Sequence, residues 1–567
     1  MVTRVGRLSQ SVVAWPVALL TALVGAMVLA PIGILLYQSL LTAPFFAPVK
    51  SFALEAYRYI LHDPYFFEAL RNSLFIGLGM VLVAVPLGSL FAFLVTKTDL
   101  PLARLFELLL LAPIFISPII LGIGFIVAFG PSGLVSGWVE GVLGRVPWTI
   151  YTLPAIAVIA GLTHVPYVYL YVASTIQNVD ASLEEAARVA GARPYRVALS
   201  VTLPLVRPAL VYSGALMLLL GFELFGLPLV LGDAKGIMVV TTYLYRLTAI
   251  TGTSAYHLMA AVSVAIVLVA LALVLLQRYL VGRMEGRYVA IGARGYRTEK
   301  LPLGRLRYVW ALILALYLLV AVILPVLGVV FRSLVASWGP GVDLREVFTL
   351  GHYAEVFKLP NLSRAVTNTL VVATLGGVTA LAFYLLVALG IQRGRGWGRA
   401  LDYLAGLPRA VPGLVMGLAF LWIFLFFKPL APIRTTLLSL ILAYTVVWMP
   451  YGVRLLTAAL VQVGREVEEA ARIAGASALR AFLDGTLPLL RGGILTAWFL
   501  LFIQFVREYS TGVYLLTAGT EVLGAQIVAL WGTGAVDVIA ALATLQVLIV
   551  SAVFLLANRL GVRPQGL

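Results

Sequence analysis

The sequence predicts an all-α polytopic membrane protein with twelve transmembrane helices in two parallel six-helix repeats. Three observations support this prediction. Charged residues make up only 11% of the chain, whereas a soluble domain carries roughly 25%, and the mean hydropathy is +1.04. Apolar runs of about 20 residues, the length that crosses a bilayer, recur along the chain. Short motifs of the first half also reappear in the second half.

The apolar runs place the twelve helices in order. They are too long and too uniformly apolar for a transmembrane barrel, whose segments alternate over about ten residues. The first run resembles a signal peptide, but its counterpart lies inside the chain, so we expect a retained helix. The helices are expected near 14–40, 72–96, 107–129, 148–174, 205–232 and 257–281, and then near 309–334, 368–391, 403–427, 434–459, 489–516 and 535–557.

Several echoes indicate that the chain is an internal duplication. The longest is EEAARVAGA at 184–192, which returns as EEAARIAGA at 468–476 with eight of nine letters identical. The echoes predict a first repeat at 1–281, a basic linker at 282–308 and a second repeat at 309–567. Shorter echoes are RNSL at 71–74 with TNTL at 367–370, GIGF at 122–125 with GLAF at 417–420, and VPY at 165–167 with MPY at 449–451.

The distribution of Lys and Arg predicts the orientation. With both termini in the cytoplasm, the cytoplasmic segments hold 25 of these residues and the opposite loops hold 12. Positive loops stay inside, so both nonapeptides are expected on the cytoplasmic side. The same rule accounts for the net charge of +16, and we therefore expect contact with membrane lipid and none with nucleic acid.

The residue inventory argues against an enzyme. The chain has no Cys, and its four His are scattered without the helix-face spacing of a metal site, so we expect no metal. No Lys follows a Gly, which excludes the phosphate-binding G-x-x-x-x-G-K-[ST] loop. We therefore expect no catalytic residues and no cofactor in this chain; any ATP must be bound by another polypeptide.

Each nonapeptide predicts a short amphipathic helix with carboxylates in its first turn, where the helix dipole favours them. Gly191 and Gly475 follow, where a residue of positive φ ends a helix. Pro204 and Pro488 stand thirteen residues further on, where each can open a membrane helix. Two such copies favour two equivalent docking surfaces for a cytoplasmic partner present in two copies. The alternative is an interfacial helix that only caps a loop.

The spacing resembles the signature loop of permeases of binding-protein-dependent ABC importers, which is Glu-Ala-Ala, three residues, Gly, nine residues, an aliphatic residue, one residue, Leu-Pro. The second copy departs from it at Gly485, where the aliphatic residue is expected. In that family the loop is a coupling helix that docks in a groove of the ATPase subunit. The resemblance implies ATPase-coupling residues at Glu184, Glu185, Ala186, Ala187 and Gly191, and at Glu468, Glu469, Ala470, Ala471 and Gly475.

The resemblance also implies partners and a location. It implies two copies of a cytoplasmic ABC ATPase that bind ATP and magnesium, one external substrate-binding protein, and the inner membrane of a prokaryote. The fused twelve-helix form resembles ferric-iron permeases most, with thiamine, polyamine and phosphonate importers as alternatives. A secondary transporter is the alternative class, but it would usually carry more ionisable residues within the membrane and would not need matched acidic helices.

Ionisable residues inside the predicted membrane helices are candidates for a translocation path, because such groups usually face a cavity. Glu223 and Glu508 lie about 30 Å along their helices, near the outer end of the span. Gln504 and Arg507 are weaker candidates of the same kind. The alternatives are that these residues have already reached the outer interface, or that Arg507 only makes a local pair with its helix.

Overall fold

The computed structural model describes residues 2–179, 181–251, 255–285, 300–339, 342, 347–464 and 466–561. Among these residues it is helical, and backbone pairing of the β type is limited to three isolated bridges. The first-half helices are α1 (Val2–Ser39), α2 (Glu55–Ile60), α3 (Pro64–Lys97), α4 (Ala103–Phe115), α5 (Pro118–Phe129), α6 (Leu134–Leu143), α7 (Leu153–Gln177), α8 (Ala181–Val189), α9 (Pro194–Val197), α10 (Leu203–Glu223), α11 (Gly226–Gly232), α12 (Val240–Thr251) and α13 (Tyr256–Glu285). The second-half helices are α14 (Leu306–Leu318), α15 (Leu324–Ser333), α16 (Gly351–Lys358), α17 (Pro360–Val371), α18 (Gly377–Arg393), α19 (Arg395–Gly406), α20 (Gly413–Phe426), α21 (Leu437–Val447), α22 (Met449–Gln462), α23 (Glu466–Ile473), α24 (Ala478–Arg480), α25 (Leu487–Arg507), α26 (Leu523–Trp531) and α27 (Val536–Arg559).

The structure gives a range for the number of membrane spans, and this range includes the predicted twelve. Ten helices of the described chain are long and apolar enough to cross a membrane, and up to thirteen spans result if each of three bent helix pairs counts as one. The expected twelve lies within this range. The ten are Trp15–Ser39, Pro64–Lys97, Pro118–Leu143, Leu153–Gln177, Ala198–Glu223, Tyr256–Arg283, Leu306–Ser333, Pro360–Arg393, Ala478–Arg507 and Val536–Arg559.

Two predicted helices of the second half are bent rather than straight. The predicted span 403–427 bends by 107° between Ala410 and Gly413, and the predicted span 434–459 bends by 61° around Trp448. An apolar composition indicates that a segment can lie in the membrane, but it does not show whether the backbone hydrogen bonds of that segment are continuous. Pro412 and Pro450, which stand at the two bends, are the local signal for these breaks. Irregular backbone is tolerated at membrane depth where it is buried in protein.

The fifth predicted helix of each half is shorter than expected. The prediction 205–232 runs past the end of α10 at Glu223, because Leu224 is extended with ψ 128°. The prediction 489–516 likewise runs past the end of α25 at Arg507, because Glu508 is extended with ψ 126°. Both halves therefore leave the helix at the same place, and a short unwound segment follows each of these ends.

The two halves repeat one packing arrangement. Helices α3, α7 and α10 pack against one another in the first half, as α18, α22 and α25 do in the second. The asparagines of the RNSL and TNTL echoes make the same kind of hydrogen bond in each half. Asn72 Nδ2 donates to Met238 O (2.9 Å) and Asn368 Nδ2 donates to Glu521 O (2.9 Å). These bonds hold the chain just before α12 and α26.

The halves also interlock through their first helices. Helix α1 packs against α19 and α20 of the second half, and α15 packs against α5 of the first. The loops that follow these helices clamp the opposite half. The ring of Phe46 stacks on that of Phe426 with centroids 4.2 Å apart, and Trp338 Nε1 donates to Ser132 O (2.8 Å).

The end of the predicted basic linker docks on the first half; residues 286–299 of that linker lie outside the described residues. The N–H of Leu301 donates to Lys97 O (2.7 Å), and the N–H of Leu303 donates to Asp99 Oδ1 (2.8 Å). The Leu303 N–H, together with the Arg307 guanidinium, holds the pKa of the Asp99 carboxyl below its usual range. The second half thus begins directly beside the end of α3.

Candidate functional site

The two nonapeptides form short helices with the predicted glycine ends. Helices α8 and α23, here called the nonapeptide helices, are followed by Gly191 and Gly475 with φ of +84° and +93°. The Gly191 N–H donates to Arg188 O (2.8 Å) and the Ala192 N–H donates to Ala187 O (3.0 Å). The same two bonds recur after α23. This is the paired bonding that ends a helix at a left-handed glycine, so the expected positive φ is confirmed.

The first carboxylate of α8 points into the protein. Glu184 is 3% exposed, its Oε2 accepts from Lys97 Nζ (3.0 Å), and its Oε1 accepts from Thr202 Oγ1 (2.8 Å). Lys97 is the last residue of α3 and is itself buried. Glu184 was expected at a docking surface, whereas the structure uses it to fasten α8 to the membrane helices. Sequence alone could not show this, because a buried cation partner lies 87 residues away.

In α23 the carboxylate that matches Glu184 is that of Glu468, and it also pairs with a basic residue, but this pair is more exposed to solvent. Glu468 pairs with Arg393, the last residue of α18, and the two side chains are 22% and 36% exposed. Helices α3 and α18 are the second membrane helices of their halves. Each nonapeptide helix is therefore tied to the same element by the first carboxylate of its nonapeptide, through a buried pair in one half and a partly exposed pair in the other.

The outward faces of the nonapeptide helices present an apolar residue beside an acidic one. Val189 and Ile473, the one position at which the copies differ, are 90% and 89% exposed. An exposed aliphatic side chain at the same place in both halves was missed, because the helical pattern alone places apolar residues inward. Also exposed are Glu185, Ala186, Gly191, Glu469, Ala470 and Gly475, whereas Ala187 and Ala471 are half-buried.

A widened turn joins each nonapeptide helix to its membrane helix. The residues Ala198–Thr202 and Ala481–Thr486 form π-helical turns before α10 and α25, where Leu203 and Leu487 begin the helix with Pro at its start. The departure at Gly485 leaves an ordinary contact, because a Cβ there would lie 3.4 Å from Val467 Cγ1. The two connections therefore match despite this substitution.

The predicted path residues lie at the other end of the same two membrane helices. Helices α10 and α25 each have 21 residues, so Glu223 at the end of α10 matches Arg507, and Glu508 matches Leu224. Glu223 and Glu508 are therefore one position out of register between the two halves. Glu508 accepts from Trp448 Nε1 (3.0 Å), Ser510 Oγ (2.9 Å) and the Thr511 N–H (3.0 Å).

The other path candidates are satisfied to different degrees. Arg507 is 9% exposed and donates to the backbone oxygen of Ile114, at the end of α4 in the opposite half. Glu223 Oε1 and Gln504 Oε1 are buried atoms without a hydrogen-bond partner in the described chain. Arg409, at the bend before α20, lies within electrostatic range of Glu223.

Aromatic residues surround these groups, and the sequence analysis did not single them out as a site. His164 stacks on Tyr167 (centroids 5.5 Å apart), and their equivalents Trp448 and Tyr451 form an edge-to-face pair (6.2 Å). The VPY and MPY echoes were the available signal. Within the described residues, no group of three or more His, Asp or Glu side chains is arranged to hold a metal ion.

Comparison with known proteins gives a family match in both halves. The family described as "Binding-protein-dependent transport system inner membrane component" matches residues 84–286 and 380–562. The ferric transport system permease protein FbpB of Actinobacillus pleuropneumoniae is 27% identical over 490 residues, which cover 84% of this chain and 69% of that protein. The putative ferric transport system permease protein FbpB 1 of Haemophilus influenzae is 27% identical over 484 residues, covering 83% and 74%.

Solved structures match shorter parts of the chain. A chain of a bacterial alginate ABC transporter in complex with an alginate pentasaccharide-bound periplasmic protein is 20% identical with a TM-score of 0.37, covering 41% of this chain and 83% of that one. A chain of the inward-facing MetNI methionine ABC transporter is 21% identical with a TM-score of 0.31, covering 35% and 93%.

Proposed function

The chain belongs to the family of binding-protein-dependent transport system inner membrane components, and from that premise we propose that it forms the translocation path of an ATP-driven importer and couples this path to two cytoplasmic ATPase subunits. As a member of this family it is a multi-pass permease of the inner membrane. The observation that carries the coupling proposal is the pair of matched outward faces on the nonapeptide helices.

The two faces suit a partner with a fitted groove. Val189 and Ile473 each project an aliphatic side chain that is almost wholly exposed, beside Glu185 and Glu469. Such an aliphatic side chain contributes favourable free energy when it is buried in an apolar pocket of the partner. The neighbouring carboxylate is complementary to a basic rim around that pocket. Because the two faces are equivalent, they fit two copies of one ATPase. A secondary transporter has no use for such a pair of faces.

We place the path between the halves, at the ends of α10 and α25. Glu223 and Gln504 carry the unpartnered oxygens, and Arg507 and Glu508 hold the surrounding backbone. The nonapeptide helices lie at the opposite ends of the same membrane helices, so a shift of α8 or α23 is passed directly to the path. The outer end is the entry from the external binding protein.

The proposed orientation has both termini and both nonapeptide helices in the cytoplasm, which agrees with the excess of Lys and Arg on that side. The proposed units are a first repeat at 1–281, a linker at 282–308 and a second repeat at 309–567. ATP and magnesium are bound by the partner ATPase. One external substrate-binding protein is the proposed partner on the opposite side of the membrane.

Ferric iron is the substrate we propose, because the two similar permeases, both named FbpB, are ferric transport system proteins. This substrate does not require a fixed metal site in the permease. Within the described residues, no group of three or more His, Asp or Glu side chains could hold a metal ion. Thiamine is the second candidate, from the resemblance to fused permeases alone. Polyamine is a third, since the spermidine/putrescine permease PotB of Escherichia coli is 29% identical over 192 residues.

Reconstitution tests the function and the substrate together. Proteoliposomes with the permease, its ATPase and its binding protein should accumulate radioactive ferric iron only when ATP is supplied on the ATPase side. Omitting the ATPase should abolish uptake. ATP-independent uptake driven by an ion gradient would instead establish the secondary transporter, and uptake of labelled thiamine or spermidine in place of iron would replace the substrate.

Thiol labelling tests the orientation in a chain that has no cysteine of its own. Ala190→Cys and Ala474→Cys, on exposed positions beside the nonapeptide helices, should react with an impermeant maleimide only from the cytoplasmic side. Val49→Cys, at a position 85% exposed, should react only from outside. Labelling of Ala190→Cys from outside would overturn the proposed orientation and the coupling with it.

A further inference from the structure

The unwound segments after α10 and α25 meet each other at one pair of aromatic rings. Phe225 and Tyr509 stand 284 residues apart, as do the helix ends Glu223 and Arg507 that precede them. The two rings are stacked, with centroids 6.1 Å apart and planes 10° from parallel. Equivalent side chains of two repeats touch one another only where the axis that relates the repeats passes between them. The pair therefore marks that axis.

The pair lies at the end of the molecule away from the nonapeptide helices. Helices α10 and α25 begin beside α8 and α23 and run 21 residues, about 30 Å, before they reach these rings. Phe225 is 2% exposed and Tyr509 is 9% exposed, so neither ring leaves an opening to solvent. A solute that follows the axis between the halves must pass between these two side chains.

A hydrogen bond and a close contact fix the stack. The N–H of Gly226 donates to Tyr509 Oη (3.1 Å), so the second half is bonded to the unwound backbone of the first. A Cβ at position 226 would lie 2.8 Å from Tyr509 Oη and 3.0 Å from Ile119 Cβ. Only glycine fits there while the stack is formed, because any side chain would push the Tyr509 ring away.

Two sets of hydrogen bonds lie beside the stack: one set joins the two halves, and the other lies within the second half. Arg507 donates to Ile114 O, a contact between the halves. Glu508 accepts from Trp448 Nε1 and the Thr511 N–H, both of which belong to the second half. When the halves separate, the first set breaks together with the stack. The second set stays and carries the Tyr509 segment with its own half.

We propose that Phe225 and Tyr509 are the outer gate of the translocation path, closed by their stacking and opened when the two halves move apart. This inference rests on the proposed function, which supplies the path. Glu508 is a positioning residue for the gate, because it orients the segment that bears Tyr509 and does not itself close the path. Gly226 permits the closed state.

The decisive test uses Phe225→Cys plus Tyr509→Cys with a short bifunctional thiol reagent that contains a reducible disulfide. Without the reagent, the permease alone in a planar bilayer in KCl should conduct several-fold more than the wild type, because the stack is gone. Bridging the two cysteines should remove this conductance and also abolish ATP-driven uptake in the full complex. Reductant should reverse both effects, which shows that the variant is folded.

A second set of variants separates a gate from general packing. Phe225→Ala, Tyr509→Ala and Gly226→Ala should each raise the KCl conductance, whereas Phe424→Ala should not. Phe424 is an equally buried ring in α20 that lies outside the stack and serves as the matched control. The ATPase activity of the full complex without binding protein should rise in the same three variants.

The outcomes distinguish failure of the gate from failure of the function. Conductance needs neither ATPase nor binding protein, so it tests the gate even if the wild-type complex shows no ATP-dependent uptake, which would refute the proposed function. The gate is refuted if the bridged double variant transports as fast as the unbridged one. It is also refuted if the three alanine variants conduct no more than Phe424→Ala.

Discussion

The two nonapeptides share eight of nine residues, yet the helices that contain them are fastened to the membrane helices in different ways. In the first half the Lys97–Glu184 pair is almost completely buried, with side chains 3% and 4% exposed, and Thr202 completes the set of partners. In the second half the Arg393–Glu468 pair remains partly in water. The exposed face is alike in both halves, whereas the anchors beneath that face differ.

The first anchor is also linked to the start of the second half. Leu301 donates its N–H to the carbonyl of Lys97, the same residue that holds Glu184. A movement of α8 is therefore transmitted to α3 and to the chain that leads into α14. Since Arg393 and Glu468 are more exposed, water can replace each partner of that pair at little cost. We infer that α8 moves with its membrane helices more rigidly than α23 does.

The largest expected effect comes from removing one buried partner. Lys97→Ala leaves Glu184 as an uncompensated buried carboxylate, and losing one partner of a buried pair destabilises a protein by about 3–5 kcal/mol. Arg393→Ala should change stability by only about 0–1 kcal/mol, because its pair is partly exposed. Thermal unfolding of the two variants in the same detergent measures the difference.

The matched control for this comparison is the double variant Lys97→Ala plus Glu184→Gln. It removes the buried charge along with its partner and should recover much of the stability lost in Lys97→Ala. Equal losses in Lys97→Ala and Arg393→Ala would mean that the two anchors are energetically alike and that their different burial has no consequence.

The second prediction concerns the outward faces, where the halves should behave alike. Fully burying an aliphatic side chain contributes about 1.5–3 kcal/mol, so Val189→Ser and Ile473→Ser should each weaken binding of the ATPase. A loss of 1.4 kcal/mol corresponds to roughly a tenfold weaker affinity. Titration of the detergent-solubilised permease with labelled ATPase measures it.

Val49→Ser is the control for that titration, because it removes an aliphatic group of similar exposure from the opposite side of the protein. It should leave the affinity unchanged. A large loss of affinity in only one of Val189→Ser and Ile473→Ser would show that the two faces are not equivalent docking surfaces for the ATPase.

The third prediction addresses the glycine ends of the nonapeptide helices. Gly191→Val and Gly475→Val force a β-branched residue into positive φ, a strain of about 1–3 kcal/mol. We expect a larger loss of coupled uptake in Gly475→Val, because the anchor of α23 is weaker and resists displacement less. Uptake per ATP hydrolysed is the measurement. Gly475→Asn, which tolerates this conformation, should be close to wild type; an equal loss there would locate the effect elsewhere.

The sequence predicted the elements that depend on local pattern and failed on those that depend on distant partners. The helical class, the duplication and the positive φ of Gly191 and Gly475 follow from apolar runs, repeated letters and helix-end chemistry. The burial of Glu184 does not, because it depends on Lys97. The bend at Trp448 was also missed, although Pro450, two residues further on, is a local signal for a break in the helix. The pairing of Phe225 with Tyr509 became visible only when the helix ends fixed the register between the halves.

The smallest expected effect is that of the exposed carboxylates Glu185 and Glu469. An exposed ion pair contributes about 0–1 kcal/mol, so Glu185→Gln or Glu469→Gln alone should scarcely alter ATPase binding. Reversal to Lys adds repulsion against a basic groove rim, and the double variant Glu185→Lys plus Glu469→Lys sums this repulsion over both faces. It should lose ATPase association in a pull-down at low salt and regain part of it as added salt screens the charges. Its thermal unfolding should match the wild type, because neither side chain is buried. Undiminished association at low salt would mean that the ATPase docks elsewhere, and that the matched faces only cap their loops.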